Sequence, residues 1–314
     1  MTTADPQRQP AGVPVGVLAE ITQALPSLAG ALDAADIAWR TVSDSDATGA
    51  EITTLVIGGG PFDAASMDNF PNLDLVVRAG IGLDLVDLTA AEKRGIRVVN
   101  TPGYGTQEVA DQALLLLLTI TRRLHHFEQQ AEGAWSDASC AGVPRLADLT
   151  LGVIGLGAIG TALSRRARAC GMNVIAHDPY VTPDVFAHHE VAASSLEALL
   201  ETSDVISLHA PLTDETHHLL HAQTFRQMQR RPVIINTARG GLINTTHLIE
   251  ALDSGQVAAA GLDVVEGEPA PPTELMKREN VVVTPHVGWY SEGSRDEMGR
   301  LAAAAVIHGG LGRD

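Results

Sequence analysis

Three side chains suited to anion binding and proton transfer each follow an apolar run in the second half of this 314-residue sequence. They are Arg239 in INTARGG, Glu268 in GLDVVEGEP and His286 in VVVTPHVGW. An arginine can hold a carboxylate through two parallel hydrogen bonds, and a glutamate beside a histidine stabilises the imidazolium that donates a proton. Taken singly, the three residues are compatible with a surface arginine, a loop glutamate and a histidine bonded to backbone groups. Together they favour a site that binds a carboxylate and protonates a neighbouring carbonyl oxygen.

Alternating apolar runs and helical stretches predict an α/β fold with two doubly wound domains. The strands predicted in the first third are Val15–Leu18, Thr54–Ile57, Leu73–Val77 and Ile96–Val99. The six predicted later are Leu151–Ile154, Asn173–His177, Val205–His209, Val233–Asn236, Ala258–Val264 and Val281–Thr284. The stretch from Thr106 to Glu132 lacks Gly and Pro, which predicts one long helix, and its Leu114–Leu118 run leaves little room for an exposed face. Because parallel strands end at one edge of a sheet, the second series would bring Arg239, Glu268 and His286 together.

The stretch VIGLGAIG places Gly155, Gly157 and Gly160 between a predicted strand and a predicted helix. In a G-x-G-x-x-G turn the first glycine permits the tight turn, the second lets the backbone approach a pyrophosphate, and the third lets the helix pack on the strand. The helix begins at Ala158 and Ile159, whose end of the helix dipole suits phosphate groups. The pattern predicts a dinucleotide site, and an ordinary tight turn is the alternative.

Asp178 lies at the end of the next predicted strand, 18 residues beyond Gly160. A carboxylate at this position accepts hydrogen bonds from ribose hydroxyls and repels a 2′-phosphate, so it favours NAD over NADP. Pro179 and Tyr180 follow it, and no arginine does. An aspartate that only caps a turn is the alternative. NAD is therefore the predicted cofactor.

Composition argues against several other classes of function. Hydrophobic residues make up 45% of the chain and charged residues 19%, as in soluble globular proteins. The formal net charge of -17 disfavours nucleic-acid binding, and neither a secretory signal nor a membrane-spanning run is recognisable, so a cytoplasmic protein is expected. Cys140 and Cys170 form no CxxC motif. The adjacent histidines 125–126 and 217–218 would not share a face of a helix, so no metal site is predicted.

The motifs GLGAIG, NTARGG, DVVEGEP and TPH occur in this order, and through them nearly the whole chain resembles the D-2-hydroxyacid dehydrogenase family. The resemblance implies that Arg239 binds the substrate, that Glu268 is the partner of the histidine and that His286 is the acid/base. It implies an NAD-dependent interconversion of a 2-keto acid and a D-2-hydroxy acid by hydride transfer. Further cofactor contacts are expected from Thr106, His209, Ala210, Pro211, Thr216, Thr237, Ala238 and Asp263, the last beside the nicotinamide carboxamide.

The resemblance also explains why nearly half of the chain precedes the glycine loop. It implies a discontinuous, flavodoxin-like substrate-binding domain of residues 1–106 and 290–314, and a Rossmann NAD-binding domain of residues 107–289. The family pattern further implies a cleft that closes on the ligand and a homodimer. In RAGIGLDLVD, backbone N–H groups around Gly80 and Gly82 would hold the substrate carboxylate, and a plain turn is the alternative. The neighbouring residues assigned to this substrate site are Arg78, Ala79 and Ile81.

Within the family, TQEVAD and HVGWYSEGS are similar to the C-terminal binding protein branch, whose members are NAD-sensing co-repressors. That similarity implies that Trp289 is an apolar wall of the substrate pocket, with packing between domains as the alternative. Two other functions stay open, an NAD(H)-sensing co-repressor-like protein and a 3-phosphoglycerate dehydrogenase. Few cations follow Leu18 and Ile57, and the chain ends at GGLGRD without a regulatory domain. Both features favour an unphosphorylated 2-keto acid.

Overall fold

The computed structural model describes residues 13–43, 49–131 and 140–309. The chain divides into two compact units, one of residues 1–105 with 290–314 and the other of residues 106–289. Each unit contains its own parallel sheet, so each can be described by itself.

The sheet of the first unit has the strand order β2-β1-β3-β4-β5 with parallel pairings throughout. This is the flavodoxin-like order. Strands β1 and β3 are buried along their whole length, as expected for strands of a parallel sheet with both faces covered. The strands and helices before residue 106 are β1 (Val15–Leu18), α1 (Ala19–Ala24), α2 (Pro26–Ala34), β2 (Trp39–Val42), β3 (Thr54–Ile57), α3 (Ala64–Asp68), β4 (Leu75–Arg78), α4 (Leu88–Lys93) and β5 (Arg97–Asn100).

The sheet of the second unit has the order β12-β11-β10-β9-β6-β7-β8, again parallel. Counted from β6, this is the 3-2-1-4-5-6 order of a Rossmann domain with β12 added beyond the sixth strand. The elements are α5 (Thr106–Thr121), α6 (Leu124–Ala131), β6 (Thr150–Ile154), α7 (Ala158–Ala169), β7 (Asn173–His177), α8 (Pro183–His188), β8 (Ala192–Ala193), α9 (Leu196–Thr202), β9 (Val205–Leu208), α10 (Ala222–Gln227), β10 (Val233–Asn236), α11 (Thr245–Asp253), β11 (Ala259–Leu262), α12 (Thr273–Met276) and β12 (Val281–Val283).

The last helix, α13 (Glu292–Ile307), returns to the first unit and packs on α2. Its start is fixed by a capping box in which the Ser291 and Ser294 side chains each bond the other residue's backbone N–H. The Ser27 hydroxyl donates to the Asp296 carbonyl at 3.1 Å. The predicted α/β fold class with parallel sheets is confirmed.

Two strands were missed and one helix was predicted too long. Strand β2 is only partly buried and β8 has two exposed residues, so neither produces an apolar run. The predicted helix Thr106–Glu132 is two helices, because Arg123 turns the chain in the left-handed region at φ 53°. Its predicted end, Glu132, lies outside the described residues. No Gly or Pro marks this break in the sequence.

The leucine run of α5 is also less buried than predicted. Leu116 and Leu117 are buried, but Leu115 is 53% exposed. Five consecutive residues exceed one helical turn, so at least one of them faces away from the packed side. The packed side of α5 contacts α7, β10 and β11. Among the described residues, no helix is both long and apolar enough to cross a bilayer.

Candidate active site

The glycine loop follows β6, and its backbone leaves no room for side chains at two of its three glycines. Gly155 has φ 94°, and a Cβ there would lie 2.6 Å from the Ala210 backbone nitrogen. A Cβ on Gly160 would lie 2.1 Å from the Gly155 carbonyl oxygen, so α7 packs directly on the turn. Gly157 is exposed, and nothing lies within 4 Å of its Cβ position. This open position next to the N-terminus of α7 fits a pyrophosphate, as the spacing predicts.

Asp178 also holds the glycine loop in place. One carboxylate oxygen accepts from the Leu156 backbone N–H at 2.8 Å, and the other accepts from the Tyr180 N–H at 3.0 Å. A carboxylate has about four lone-pair sites, so acceptor capacity remains for ribose hydroxyls. The contact to Leu156 was not foreseen, because no local pattern indicates it.

Further residues expected to bind the cofactor lie in the loop after β9. His209 contacts the end of β6, next to the glycine loop, and Thr216 closes a turn within the loop after β9. The His209 N–H donates to the Ile154 carbonyl at 2.7 Å, and its ring Nε2 lies 2.8 Å from the Ser207 hydroxyl. Burial lowers the pKa of His209 to about 4, so this ring is neutral at pH 7. The Thr216 hydroxyl donates to the Pro211 carbonyl at 2.6 Å, which closes the turn after Ala210.

The turn that carries Arg239 is shaped by the buried side chain of Asn236. The Asn236 amide accepts from the Ala238 N–H at 3.0 Å and donates to the Arg239 carbonyl at 2.8 Å. The Thr237 hydroxyl is buried and has no hydrogen-bond partner among the described residues. An unpaired buried hydroxyl costs free energy, so Thr237 is suited to a ligand group at this edge of the sheet. Sequence reasoning missed Asn236, because a buried strand-end amide resembles any other turn residue.

His286 and Glu268 form the predicted pair. His286 Nδ1 lies 2.7 Å from Glu268 Oε2, with both side chains partly exposed. Burial alone would raise the pKa of Glu268, but the hydrogen bond and charge of His286, the Val265 N–H and the charge of Arg239 together lower it. The carboxyl is therefore ionised near neutral pH and Arg239 lies within its electrostatic reach. The structure brings all three predicted residues to one edge of the second sheet.

Asp263 organises the loop that carries His286. One of its oxygens accepts from the Thr284 hydroxyl at 2.5 Å and the Val287 N–H at 3.1 Å, and the other accepts from the Gly288 N–H at 2.8 Å. The His286 N–H donates to the Asp263 carbonyl at 2.8 Å. The Gln112 amide of α5 donates to the Thr284 hydroxyl at 2.9 Å. The buried Asp263 thus holds the loop from 284 to 288, a role that the sequence did not indicate.

His217 and His218 are not on a helix, so the expectation that they lie on different faces of one is wrong. They lie in a turn in which His218 has φ 53°, and their rings stack with centroids 3.8 Å apart. His218 Nε2 lies 2.6 Å from Glu266 Oε1. The nitrogen and oxygen atoms of His217, His218 and Glu266 lie within 4.8 Å of one another, which makes them a candidate metal-ligand cluster.

In the first unit, two of the N–H groups expected to bind a carboxylate are already bonded. The Ala79 N–H donates to the Ile57 carbonyl at 3.0 Å, and the buried Gly80 N–H donates to the Thr101 hydroxyl at 2.8 Å. The N–H groups of Ile81 and Gly82 have no partner within the described part of the chain. In this turn, the N–H groups of Ile81 and Gly82 therefore remain available to a ligand.

The guanidinium of Arg78 lies over the same glycine turn of the first unit. It donates to the Ala79 carbonyl, and a Cβ on Gly80 would lie 2.4 Å from its Nη1. Two further residues of the prediction lie at the ends of the second unit, Thr106 at the start of α5 and the half-buried Trp289.

The chain matches a known family in sequence and in structure. Residues 114–288 match the family described as D-isomer specific 2-hydroxyacid dehydrogenase, NAD binding domain. A glyoxylate reductase from Korarchaeum cryptofilum is 39% identical over 252 residues, which cover 79% of this chain and 76% of the relative. A D-3-phosphoglycerate dehydrogenase from Archaeoglobus fulgidus is 38% identical over 248 residues, 78% of this chain but only 47% of the relative.

A solved structure shows the same fold over the whole length. The D-lactate dehydrogenase from Aquifex aeolicus, complexed with NAD and lactic acid, superimposes with a TM-score of 0.84 at 28% identity, over 95% of this chain and 96% of that one. A glycine loop before a helix and a strand-end carboxylate such as Asp178 are typical of NAD-binding domains. The chain belongs to the D-isomer specific 2-hydroxyacid dehydrogenase family and is an NAD-dependent oxidoreductase.

Proposed function

We propose that this protein reduces an unphosphorylated 2-keto acid to the D-2-hydroxy acid, with His286 as the acid. The 2.7 Å contact between His286 Nδ1 and Glu268 Oε2 is the observation that carries the proposal. Because Nδ1 faces the carboxylate, Nε2 is the ring nitrogen that delivers a proton to the carbonyl oxygen. In the reverse direction the same nitrogen accepts the proton.

The chain's own residues supply binding, orientation and proton transfer. NADH, when bound, supplies the hydride. Gly155, Gly157, Gly160 and the start of α7 would hold its pyrophosphate, and Asp178 its adenosine ribose. Arg239 would pair with the substrate carboxylate through two hydrogen bonds and so fix the carbonyl group toward His286.

The first unit would supply the remaining substrate contacts. We assign the carboxylate to the N–H groups of Ile81 and Gly82, with the Arg78 guanidinium beside them, because the Ala79 and Gly80 amides have internal partners. Trp289 would form an apolar wall for the substrate side chain. The segment from Trp289 to Glu292 resembles the C-terminal binding protein branch, and this resemblance supports the Trp289 assignment and no other.

A 3-phosphoglycerate dehydrogenase activity is the second candidate, because relatives of that activity are as similar as the glyoxylate reductases. The Mycobacterium tuberculosis D-3-phosphoglycerate dehydrogenase is 36% identical over 300 residues, although the chain spans only 56% of its length. The loop after β3 provides no cation of its own between Gly58 and Pro61, but the Arg78 guanidinium lies near Gly59 and could pair with a phosphate, so a panel of substrates separates the two candidates.

A homodimer through the second unit is also part of the proposal. Leu115 on α5 and Leu124 on α6 are about half exposed, and a partner helix could cover them. Light scattering of the purified chain should give the mass of a dimer, and a monomer at micromolar concentration would contradict this part. A cytoplasmic location stays a prediction.

The test of function is NADH consumption with a panel of 2-keto acids. The panel contains glyoxylate, pyruvate, hydroxypyruvate, 4-methyl-2-oxopentanoate, phenylpyruvate and 3-phosphohydroxypyruvate, with NADPH as the cofactor control. We expect NADH-dependent turnover of one or more unphosphorylated acids. A preference for 3-phosphohydroxypyruvate would support the second candidate instead, and no turnover with intact NADH binding would contradict both.

A further inference from the structure

Glu266 links three segments of the second unit through one carboxylate. Its Oε1 lies 2.6 Å from His218 Nε2, and its Oε2 accepts from the Thr245 N–H at 2.8 Å. Glu266 itself precedes Glu268 by two residues in the loop after β11. The carboxylate therefore ties the loop of Glu268 both to the start of α11 and to the turn that contains His218.

The loop that carries Arg239 contacts the backbone of the segment that contains Glu266. A Cβ on Gly240 would lie 2.3 Å from the Val265 carbonyl carbon and 2.5 Å from the Glu266 nitrogen. Because the two backbones touch here, a shift of Glu266 must move the turn that starts at Arg239. The charge of Arg239 also contributes to the lowered pKa of Glu268.

His218 completes the connection from the other side. Its N–H donates to the Gly241 carbonyl at 2.8 Å, and its ring Nδ1 lies 3.3 Å from the Asn244 side-chain nitrogen. The Leu220 N–H continues this pairing by donating to the Leu242 carbonyl at 3.0 Å. His218 thus contacts the loop that carries Arg239 at two points on the side toward α11, Gly241 and Asn244.

The contacts of His218 and Glu266 are better suited to holding the two loops in position than to binding a metal ion. Glu266 and His218 already satisfy each other, and 2.6 Å is a hydrogen-bond distance rather than the wider spacing of two ligands around one ion. The His217 and His218 rings are stacked, so their nitrogen lone pairs run side by side instead of converging.

We propose that His218 and Glu266 are a positioning pair, which holds Arg239 at the correct distance from Glu268 and His286. The inference rests on the proposed function, because it concerns the same substrate site. Neither residue touches the reacting atoms. The pair acts through the carboxylate-binding arginine, so it should govern keto-acid binding and turnover and leave NADH affinity unchanged.

The experiment compares Glu266→Ala and Glu266→Gln with Glu190→Gln in the full chain. Glu190 is the matched control, since it is an exposed carboxylate 2.6 Å from Arg168 in the same unit. The readouts are kcat, KM for the keto acid, Kd for oxamate, Kd for NADH and the melting temperature. We expect Glu266→Ala to lower kcat/KM and weaken oxamate binding by about 10-fold, with the NADH Kd within about twofold. Glu266→Gln keeps an acceptor for Thr245 and should lose only about threefold.

A double-mutant cycle separates positioning from general destabilisation. In an Arg239→Lys background, Glu266→Ala should cost less than about twofold, because the group it positions is already altered. The same loss in both backgrounds, equal weakening of NADH binding, or a Glu266→Ala variant that behaves like Glu190→Gln would overturn the proposal. A wild-type chain that neither turns over a keto acid nor binds oxamate would instead overturn the proposed function. A metal ion that restores the activity of Glu266→Gln would overturn the positioning role.

Discussion

His286 Nδ1 and Glu268 Oε2 lie 2.7 Å apart, although the residues are 18 positions apart and follow different strands. The histidine backbone has φ 55°, a conformation that few non-glycine residues adopt. It is held there by hydrogen bonds from its N–H to the Asp263 and Thr284 carbonyls, at 2.8 and 3.0 Å. The ring is therefore presented to the site by a backbone conformation that its own loop maintains.

Replacing His286 should remove proton transfer and little else. We expect His286→Ala to lower kcat for keto-acid reduction by about 10²- to 10⁴-fold while NADH still binds. Glu268→Gln should lose less, because the amide still reaches Nδ1 but no longer carries the negative charge opposite the ring that transfers the proton. Steady-state rates check both variants, and full activity of Glu268→Gln would count against the pair.

Substitutions at two glycines of the loop, Gly157 and Gly160, should have separate effects on NADH binding and on stability. Gly157→Ala has open space for its Cβ, so its melting temperature should match wild type while NADH affinity falls about 10-fold or more, because the methyl group occupies the pyrophosphate position. Gly160→Ala must displace the Gly155 carbonyl and should destabilise by about 1–3 kcal/mol. NADH titration measures the affinity of both variants and thermal melts measure their stability. Equal stability losses in the two variants would contradict the assignment.

Cofactor choice should depend on Asp178. Asp178→Asn keeps an acceptor for the Leu156 N–H but removes the charge that repels a 2′-phosphate. We expect the ratio of kcat/KM for NADPH to that for NADH to rise about 10-fold. Asp184→Asn, an exposed aspartate on α8, is the control and should leave the ratio unchanged. An unchanged ratio for Asp178→Asn would show that this carboxylate does not determine the choice of cofactor.

Asp263 should matter for both stability and catalysis. In Asp263→Asn the amide nitrogen would face N–H groups that now meet oxygens, so we expect a loss of about 1–3 kcal/mol and a lower kcat as the His286 loop shifts. Urea unfolding measures the first effect. Asp253→Asn, which breaks an exposed ion pair with Arg278, should cost much less stability, because solvent screens the pair. Similar values for the two variants would contradict the organising role.

The two glutamates of the loop after β11 should make stability fall in acid. Burial alone would raise the pKa of Glu266, but the His218 hydrogen bond, the Thr245 bonds and the His218 charge lower it below 4.5, and the pKa of Glu268 is lowered in the same way. Both carboxylates therefore stabilise the fold above about pH 4.5, and this contribution disappears as the pH falls through their lowered values.

Melting temperatures between about pH 6 and pH 3.5 test this dependence. The double variant Glu266→Gln/Glu268→Gln should start from a lower melting temperature and lose less of it in acid than wild type. Parallel curves for the two proteins would show that other carboxyls dominate the acid transition.

The sequence by itself determined the features that depend on local pattern. The bounds of β1, β3, β7 and β10 agree with prediction, because short apolar runs bounded by polar residues or glycine specify strands of a parallel sheet. The glycine spacing and the strand-end positions of Arg239, Glu268 and His286 were likewise readable, since the edge of a parallel sheet gathers whatever follows its strands.

Only the tertiary structure decided how those residues are held. The bonds from Leu156 to Asp178 and from Gly288 to Asp263 join positions more than 20 residues apart, and no periodicity encodes them. The break at Arg123 and the stacking of His217 on His218 depend on left-handed backbone conformations at Arg123 and His218. Neither residue is a glycine, so the sequence does not indicate these conformations. Local patterns place side chains along the chain, whereas the partners of a buried carboxylate are set by which loops the sheet order makes neighbours.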